Sequence, residues 1–443
     1  MSIITKPRNK SGVIVLLALL LCLPLYLISA TIDERAQRRD EVTADIAAST
    51  AGGQTLAGPV LVLPYQELVS ESVPVGDKVV TKEHWVARKL WWLPDTLDIQ
   101  GNLKVEPRYR GIYSALLYAG AMTMTGSFSI SPERLVQDDN VRWGQPYVAL
   151  GLSDMRGITS TPLLKVNDQM VTLDPASNVA ALPNGLHATL GALHAGRMAF
   201  RLQMDVRGTQ DLRFLALGRD TSISLSSAWP SPSFNGRFLP AQEEVSSKGF
   251  NALWRANNVS SNMEQLFGKC MAGDCAEFNG NFQGVRLITP IDVYMQSARA
   301  EKYGFLFVVL TFLAFYLFEV LKELRIHPVQ YLLVGVALIL FFLLLLSLAE
   351  HIPFMHAYLV AATACIGLQT YYISHVLRSV WRGLGFGLLL STLFAALYGL
   401  LQSEDNALLL GSLLLFIVVA VIMVVTRRTD WYGLDTPAPT QAQ

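Results

Sequence analysis

The sequence predicts an integral membrane protein, an α-helical chain of six spans with a large, mainly antiparallel β domain between spans 1 and 2. Three observations predict this class. Hydrophobic residues make up 51% of the 443 residues and charged residues only 16%, whereas a soluble domain carries roughly 25% charged residues. Several apolar runs are long enough to cross a bilayer. The stretch after the first run is polar, and parts of it alternate with the period of two that β-strands show.

Each predicted span is a run of about 20 apolar residues, the length that a helix needs to cross a hydrocarbon layer about 30 Å thick. Six segments qualify: Gly12–Ala30, Tyr303–Leu321, Val329–Ala349, Ala357–Leu377, Gly383–Leu401 and Ala407–Thr426. The first could instead be a cleaved signal peptide, because a basic start, an apolar core and Ile28-Ser29-Ala30 imitate the signal pattern. The length of the run and the bulky Ile28 favour a retained span.

The positions of lysine and arginine predict the orientation, since short loops rich in these residues stay cytoplasmic. With a cytoplasmic N-terminus, one side receives Lys6, Arg8, Lys10, Lys322, Arg325, Arg378, Arg382, Arg427 and Arg428. The opposite loops, Glu350–His356 and Gln402–Asn406, contain neither lysine nor arginine. We therefore predict a multi-pass protein of the bacterial inner membrane with both termini cytoplasmic. The predicted parts are a cytoplasmic N-terminus (1–11), the first span (12–30), a periplasmic domain (31–302), a five-helix transmembrane bundle (303–426) and a cytoplasmic tail (427–443).

The periplasmic domain is predicted to open with a juxtamembrane helix over Thr31–Thr50, where apolar residues recur at helical spacing without Gly or Pro. Strands are predicted where apolar and polar residues alternate, at Leu97–Val105 and Phe200–Val206. Leu212–Leu217 and Thr221–Ser227 follow the second strand, and the turn residues between them predict a meander. The domain is long enough for one large β domain or two sandwich-like lobes.

Two stretches are predicted to be long loops: Pro230–Gly249, which is rich in Gly and Pro, and Asn257–Gly284. The second contains Cys270 and Cys275. An oxidising periplasm favours a disulfide between them, and a metal site would need two more ligands that the neighbouring sequence does not supply. Cys22 and Cys365 lie inside apolar runs.

Motifs of the common enzyme classes are absent from the sequence. It has no Gly-x-Ser-x-Gly elbow, His-Glu-x-x-His helix, phosphate loop or dinucleotide fingerprint, so we predict a protein that is not an enzyme and has no cofactor. No segment combines clustered basic residues with interleaved aromatic residues, which excludes nucleic acid as a partner. The predicted partners are the lipid bilayer and an envelope protein. The sequence does not predict whether the protein forms an oligomer.

Ionisable residues at the predicted spans are few. Glu319 lies near the end of the second span, where an ion pair with Lys322 one turn away is favoured over a transport site. Glu350, His351 and His356 share one loop and could bind a cation or relay protons, although Pro353 breaks any shared helical face. Gly383 and Gly387 open the fifth span at the spacing that lets another helix approach closely.

Several strings together resemble the CreD family of bacterial inner-membrane proteins, which are also described as cell envelope integrity proteins. They are Gly53–Leu56 running into Gly58–Tyr65, Arg110–Tyr113, Ser226–Pro240, Arg299–Phe307 with Leu310–Phe312, and Phe318-Glu319. Their order and layout match over nearly the whole chain. The stretch from Cys270 to Cys275 departs from the family pattern, so a disulfide throughout the family does not follow.

The resemblance implies a role in envelope homeostasis under a carbon-source- and stress-responsive two-component system. It also implies effects on tolerance to a DNase-type colicin and on the response to β-lactams. The resemblance assigns no catalytic residue and no biochemical activity to this chain.

Two functions are therefore weighed. One is a non-enzymatic binding or sensing protein whose β domain contacts an envelope component, with the loop Ser231–Lys248 as its most important part. The alternative is a transporter of small molecules or lipids through the C-terminal helical bundle. Seven positions are nominated as functional or interaction residues: Arg110, Gly111, Asp154, Arg156, Gly236, Arg237 and Glu319. For the Arg110 and Asp154 positions, a salt bridge or tight turn is the simpler interpretation.

Overall fold

The computed structural model describes residues 7–75, 78–135, 139–289, 292–321, 326–403 and 406–427. They divide into two compact units. The helical unit comprises the residues up to Arg39 and those from Ile291 onward, and the β unit is Asp40–Pro290. The predicted cytoplasmic residues 1–6, 322–325 and 428–443 lie outside the described residues.

The helices run as follows: α1 (Pro7–Leu20), α2 (Cys22–Ser49), α3 (Asn258–Ser261), α4 (Met263–Met271), α5 (Ala276–Gly280), α6 (Val293–Lys302), α7 (Gly304–Leu321), α8 (Pro328–Ala349), α9 (Phe354–Val376), α10 (Val380–Gln402) and α11 (Ala407–Thr426). Leu21 separates α1 from α2. Pro24 explains the break, because it has no N–H to donate to the carbonyl of Leu20. The predicted juxtamembrane helix is present as the second part of α2.

Three helices of the described chain are long and apolar enough to cross a membrane: Gly12–Ser49, Pro328–Ala349 and Val380–Gln402. A fourth span results if Val293–Lys302 and Gly304–Leu317, which are bent by 42°, are counted as one. The two remaining predicted spans, Ala357–Leu377 and Ala407–Thr426, correspond to α9 and α11. Helix α9 carries polar residues such as Gln369. Helix α11 has 20 residues, and within the described residues its apolar stretch is Leu409–Val424.

Aromatic side chains and close glycine contacts pack the helical unit. The ring of Phe341 meets those of Tyr358 and Phe394 with centroids 5.5 and 4.7 Å apart. The predicted role of the two glycines in α10 is confirmed. A Cβ at Gly383 would lie 2.6 Å from Ser374 Cβ, and one at Gly387 would lie 2.4 Å from Thr370 Oγ1. Helices α9 and α10 therefore approach through these two positions.

The β unit contains two sheets. Their strands are β1 (Gln54–Val75), β2 (Lys78–Trp92), β3 (Thr96–Arg110), β4 (Tyr113–Ile130), β5 (Val141–Trp143), β6 (Tyr147–Leu152), β7 (Leu163–Val166), β8 (Gln169–Val171), β9 (Asp174–Pro175), β10 (Gly185–Thr189), β11 (Gly196–Thr209), β12 (Asp211–Leu215), β13 (Asp220–Ser227), β14 (Pro232–Gly236), β15 (Gln242–Ser246), β16 (Gly249–Asn257) and β17 (Phe282–Leu287). Sheet A has the order β14-β17-β12-β1-β6-β10-β9, with β2 and β5 also paired to β1. Sheet B has the order β15-β16-β13-β3-β4-β11-β7-β8.

The two sheets share one core, so the described β unit is a single sandwich rather than two lobes. Sheet A contributes buried residues such as Leu212, Phe214 and Val285, and sheet B contributes Phe128 and Trp254. Most neighbouring strands are antiparallel, as predicted. The pairs β1 with β12 and β3 with β13 are parallel.

The predicted meander after β11 is wrong. Strand β11 lies in sheet B, β12 crosses to sheet A between β1 and β17, and β13 returns to sheet B between β16 and β3. Short polar connections are compatible with hairpins and with crossings between sheets alike. Only the long-range pairing partners distinguish the two, and local turn chemistry does not reveal them.

Both predicted long loops contain regular structure. The first holds two short strands, β14 and β15, which lie at the ends of sheet A and sheet B, respectively. The second holds α3, α4, α5 and the start of β17. Phe267 of α4 and Phe278 of α5 cover the outer side of sheet A next to Val60 and Val62. The predicted disulfide between Cys270 and Cys275 is present and joins the end of α4 to the start of α5.

Candidate functional site

Arg156 holds the end of α2 within the β unit. It lies in a short 3₁₀ helix (Met155–Gly157) that Asp154 caps. The guanidinium donates from Nε to Asp154 Oδ1 at 2.9 Å and from Nη2 to Oδ2 at 2.6 Å, and Nη1 donates to the carbonyl of Ala48. The last carbonyls of a helix have no partner inside the helix, and a cation near them is favourable. Arg156 thus caps α2.

Asp154 is held as a carboxylate by this arginine. Hydrogen bonding to Arg156 lowers the pKa of Asp154 to about 2, with smaller contributions from the backbone N–H groups of Gly52 and Arg156. The Gly52 N–H donates to Oδ2 at 3.1 Å. Two hydrogen bonds between a planar guanidinium and a carboxylate form one of the stronger polar contacts in proteins. The pair is therefore ionised at neutral pH.

Gln54, at the start of β1, supports the Asp154–Arg156 pair through the backbone of Asp154. It is fully buried. Its Nε2 donates to the carbonyls of Asp154 and Arg207 at 3.0 and 3.3 Å, and its Oε1 accepts from the N–H of Asp154 at 3.2 Å. Gly157 leaves room for it, because a Cβ there would lie 2.1 Å from Gln54 Nε2. Gln54 satisfies backbone groups on two separate segments.

Arg110 contacts the same helix end. It closes β3 at the tip of the β3–β4 hairpin, where Gly111 takes a φ of +65° that favours glycine. Its Nη1 donates to Asp45 Oδ2 of α2. Asp45 lies one turn before Ala48. Arg110 and Arg156, which are far apart in the sequence, therefore both contact the last turn of α2. We call Asp45, Ala48, Arg110, Asp154 and Arg156 the helix-end cluster.

Gly236 and Arg237 lie elsewhere, at the end of β14. Gly236 has a φ of +111°, and a Cβ there would lie 2.1 Å from the carbonyl oxygen of Phe282. The N–H of Arg237 donates to that carbonyl at 2.7 Å, and the side chain is exposed. Gly236 is thus required by a tight backbone approach at the edge of sheet A. The structure does not bring these residues to the helix-end cluster.

Glu319 belongs to the helical unit and connects two helices. It is 8% exposed. Its carboxylate accepts from Tyr331 Oη of α8 at 2.8 Å and from the N–H of Ile326 at 3.3 Å. Lys322, the predicted ion-pair partner, lies outside the described residues. Through its hydrogen bonds with Tyr331 and Ile326, Glu319 connects α7 to α8 and to the residues just before it.

Glu350 does not join the two histidines of its loop. Its Oε1 accepts from Tyr294 Oη at 3.3 Å and lies 3.8 Å from Arg35 Nε. His351 Nδ1 lies 3.0 Å from the carbonyl of Ser347. Among the residues that the structure describes, no group of three His, Cys, Asp or Glu side chains could hold a metal ion. The described geometry therefore offers no cation site at this loop.

The family model described as "Inner membrane protein CreD" matches residues 6–432. The chain belongs to the CreD family. Inner membrane protein CreD of Escherichia coli (strain K12) is 36% identical to it over 421 residues, which cover 95% of this chain and 92% of that protein. The family resemblance predicted from the sequence strings is confirmed.

Solved structures resemble this CreD-family chain only weakly. A structure of leukotriene A4 hydrolase from Saccharomyces cerevisiae covers 37% of this chain and 26% of its own at a TM-score of 0.21 and 9% identity. A second structure of the yeast enzyme covers 50% and 35% at a TM-score of 0.21 and 6% identity. At these TM-scores the likeness indicates no function for the CreD-family chain.

Sequence reasoning missed the residues that support the helix-end cluster. Gln54 lies in one of the strings that resemble the family, but we did not nominate it. A glutamine at the start of a long apolar strand is the signal that could have identified it, since a buried amide needs partners. Asp45 and Ala48 carried no signal, because only the folded chain shows which residues meet the end of α2.

Proposed function

We propose that this CreD-family chain is a six-span inner-membrane protein of the cell envelope that acts by binding another envelope protein and catalyses no reaction. Both termini are cytoplasmic, and the β unit lies in the periplasm. The three to four apolar helices of sufficient length support membrane insertion. The nine basic residues on one side, against none in the opposite short loops, support the orientation.

One observation carries the binding role: the segment that holds β14 and β15 supplies an end strand to both sheets. In the described β unit, β15 pairs with β16 alone in sheet B, and all five of its residues are exposed. An edge strand with an open side presents backbone donors and acceptors to an incoming strand. The Ser226–Pro240 string, through which the chain resembles its family, begins at the end of β13 and includes all of β14.

The partner is a polypeptide that adds a strand to β15. Strand addition takes its affinity from backbone hydrogen bonds and its specificity from alternate side chains. Glu243 and Glu244 make the edge acidic, and the apolar Val245 is 51% exposed. Because Glu243 and Val245 share one face of the strand and Glu244 lies on the other, a partner segment with basic residues opposite both glutamates and an apolar residue opposite Val245 complements this edge.

The proposal predicts a protein adduct at Val245. A photoreactive amino acid placed there in living cells is expected to crosslink to one envelope polypeptide, identified by mass spectrometry. The matched control is Met170 in β8, the strand at the opposite end of sheet B, which is 55% exposed and apolar. Equal adducts from both positions, or only lipid adducts from Val245, would contradict strand addition at β15.

We also propose that the family's cellular role applies here, namely envelope homeostasis under a two-component system with effects on colicin tolerance. With the photoreactive residue placed at the nearby exposed Glu243 instead, Val245→Lys is expected to abolish both the adduct and the tolerance phenotype in a complemented deletion strain, because a lysine on an edge strand opposes pairing. Met170→Lys should retain both. A Val245→Lys protein that loses the adduct but keeps the phenotype would separate partner binding from colicin tolerance.

A further inference from the structure

Two arginines at the turn between α9 and α10 lack an acidic partner. Arg378 follows α9, Arg382 lies in the first turn of α10, and both side chains are exposed. Among the residues that the structure describes, neither guanidinium forms an ion pair or a hydrogen bond. The sequence contains no Asp or Glu between Glu350 and Glu404. The turn therefore presents two positive charges that no neighbouring carboxylate neutralises.

Arg378 occupies a backbone position at which glycine is the usual residue. Its φ is +47°, in the left-handed region. The N–H of Arg378 donates to the carbonyl of His375 at 3.2 Å, and the N–H of Ser379 donates to that of Ser374 at 3.1 Å. These two bonds form the Schellman ending of a helix, which favours glycine because glycine has no Cβ. An arginine is unfavourable for this backbone, so its guanidinium, rather than the turn, explains its presence.

Exposed aromatic rings accompany the two arginines. Trp381, which lies between Arg378 and Arg382 in the sequence, is 84% exposed, and Tyr371 of α9 is 67% exposed. The ring of Tyr371 lies against that of His375, with centroids 4.5 Å apart. Tryptophan and tyrosine prefer the headgroup layer of a bilayer, because their rings are apolar and their N–H or O–H groups stay hydrated. The turn thus combines positive charge with the aromatic residues that are typical of a membrane surface.

The start of α10 lies at the surface of the bilayer. Within the described residues, Val380–Gln402 is one of the helices that are long and apolar enough to cross a membrane. Its 23 residues rise about 34 Å, slightly more than a hydrocarbon layer of about 30 Å. Trp381 and Arg382, the second and third residues of this helix, are therefore at the level of the headgroups. At that level a guanidinium is within reach of lipid phosphates.

We propose that Arg378, Trp381 and Arg382 form a binding site for the headgroup of an anionic phospholipid. A guanidinium binds phosphate oxygens through two parallel hydrogen bonds. Two arginines without a carboxylate favour a headgroup with net negative charge, such as phosphatidylglycerol, over a zwitterionic one. The proposal is independent of partner binding at β15 and of the side of the membrane on which the turn lies. It requires only that α10 crosses the membrane.

The first test is Arg378→Gly, which removes the guanidinium and suits the backbone. Full-length protein in mild detergent is titrated with phosphatidylglycerol, and native mass spectrometry measures the lipid-bound fraction. The apparent Kd should rise at least fivefold. The thermal-unfolding midpoint should equal or exceed that of the wild type, because glycine fits the left-handed position, so misfolding would not explain the loss. Arg382→Gln should also weaken binding, and unchanged binding by the double variant would overturn the proposal.

The matched control is Arg427→Gln, which removes an exposed arginine at the end of α11 and should leave the Kd unchanged. The wild type should bind phosphatidylethanolamine with the same acyl chains at least fivefold more weakly than phosphatidylglycerol.

Three results would contradict an anionic-lipid site. Equal affinity for the two lipids would show that net negative charge is not recognised. Displacement of phosphatidylglycerol by millimolar inorganic phosphate, beyond the effect of chloride at the same ionic strength, would show a site for free phosphate. Binding that appears only after removal of residues 430–443 would show that the C-terminal tail occupies the arginines in the full-length chain.

Discussion

The contacts of single residues explain why Asp154 and Arg156 occupy the turn after β6. The guanidinium both neutralises the carboxylate and completes the hydrogen bonding of the α2 end. A salt bridge was the simpler interpretation of this sequence pattern, and it is present. Its position beneath a helix end is what gives the pair a structural role, since exposed ion pairs elsewhere contribute little.

Asp154→Asn is expected to destabilise the protein at pH 7 by about 1–2 kcal/mol. The pKa of Asp154 is lowered from 3.8 to about 2 in the folded chain. The stabilisation is thus complete above about pH 4 and is lost as the pH falls towards 2. Urea unfolding of the full-length protein in detergent, followed by tryptophan fluorescence at pH 7 and pH 3, measures the effect.

The matched control for this prediction is Glu106→Gln, which breaks the exposed pair with Lys104. Both side chains are largely exposed, so the unfolding midpoint should not move. A destabilisation by Asp154→Asn that is as large at pH 3 as at pH 7 would show that the ionised carboxylate is not responsible for it.

At the scale of elements, sequence periodicity predicted more than turn chemistry did. Alternation located β3 and β11, because each buries one face against the sandwich core. It could not reveal β14 and β15, which are short edge strands without an alternating pattern of burial. The spacing of Gly383 and Gly387 predicted a helix contact correctly, since close approach depends on the small residues themselves.

Glycine-to-alanine substitutions in α10 are expected to have opposite effects at Gly383 and Gly385, which lie on different faces of the same helical turn. Gly383→Ala should destabilise by about 1–3 kcal/mol, because the added Cβ meets the backbone of Ser374. Gly385→Ala should stabilise by up to about 1 kcal/mol, since no heavy atom lies within 4 Å of its added Cβ and alanine favours the helix. The thermal-unfolding midpoints in detergent give both signs. A fall of equal size for the two variants would rule out the α9–α10 contact as the cause.

At the scale of the whole molecule, the number of spans is the most consequential prediction. Helices α9 and α11 decide it. They have 23 and 20 residues, but neither is among the three candidate spans found within the described residues. Six spans place Ile352 and Ser379 on opposite sides of the membrane, and likewise Ser403 and Arg427.

Labelling of single cysteines with a membrane-impermeant maleimide measures the sides, in a background that lacks Cys22 and Cys365. In spheroplasts, Ile352→Cys and Ser403→Cys should react at once, whereas Ser379→Cys and Arg427→Cys should react only after permeabilisation. Reaction of Ile352→Cys and Ser379→Cys under the same condition would remove α9 from the spans. The Ser403 and Arg427 positions test α11 in the same way.

The family and the broad architecture could be predicted from the sequence because they rest on long apolar runs and on contiguous strings. The pairing of strands could not. Gln54 meets Leu212 and Thr96 meets Asp220 in parallel register, and no local pattern records such distant partners. Only Arg110, Asp154 and Arg156 of the helix-end cluster could be nominated from the sequence, for the same reason. Arg110 and Arg156 come into contact with α2 only when the sandwich is folded.

These two parallel pairs impose an order on biosynthesis. Strands β1 and β3 are made early, yet each lacks a neighbour until β12 and β13 have left the ribosome. Until then the growing chain exposes apolar strands with open edges, which is the condition under which polypeptides aggregate. A chain interrupted before Asp211 would therefore lack both parallel pairings, and the early strands keep open edges until synthesis passes Ser227.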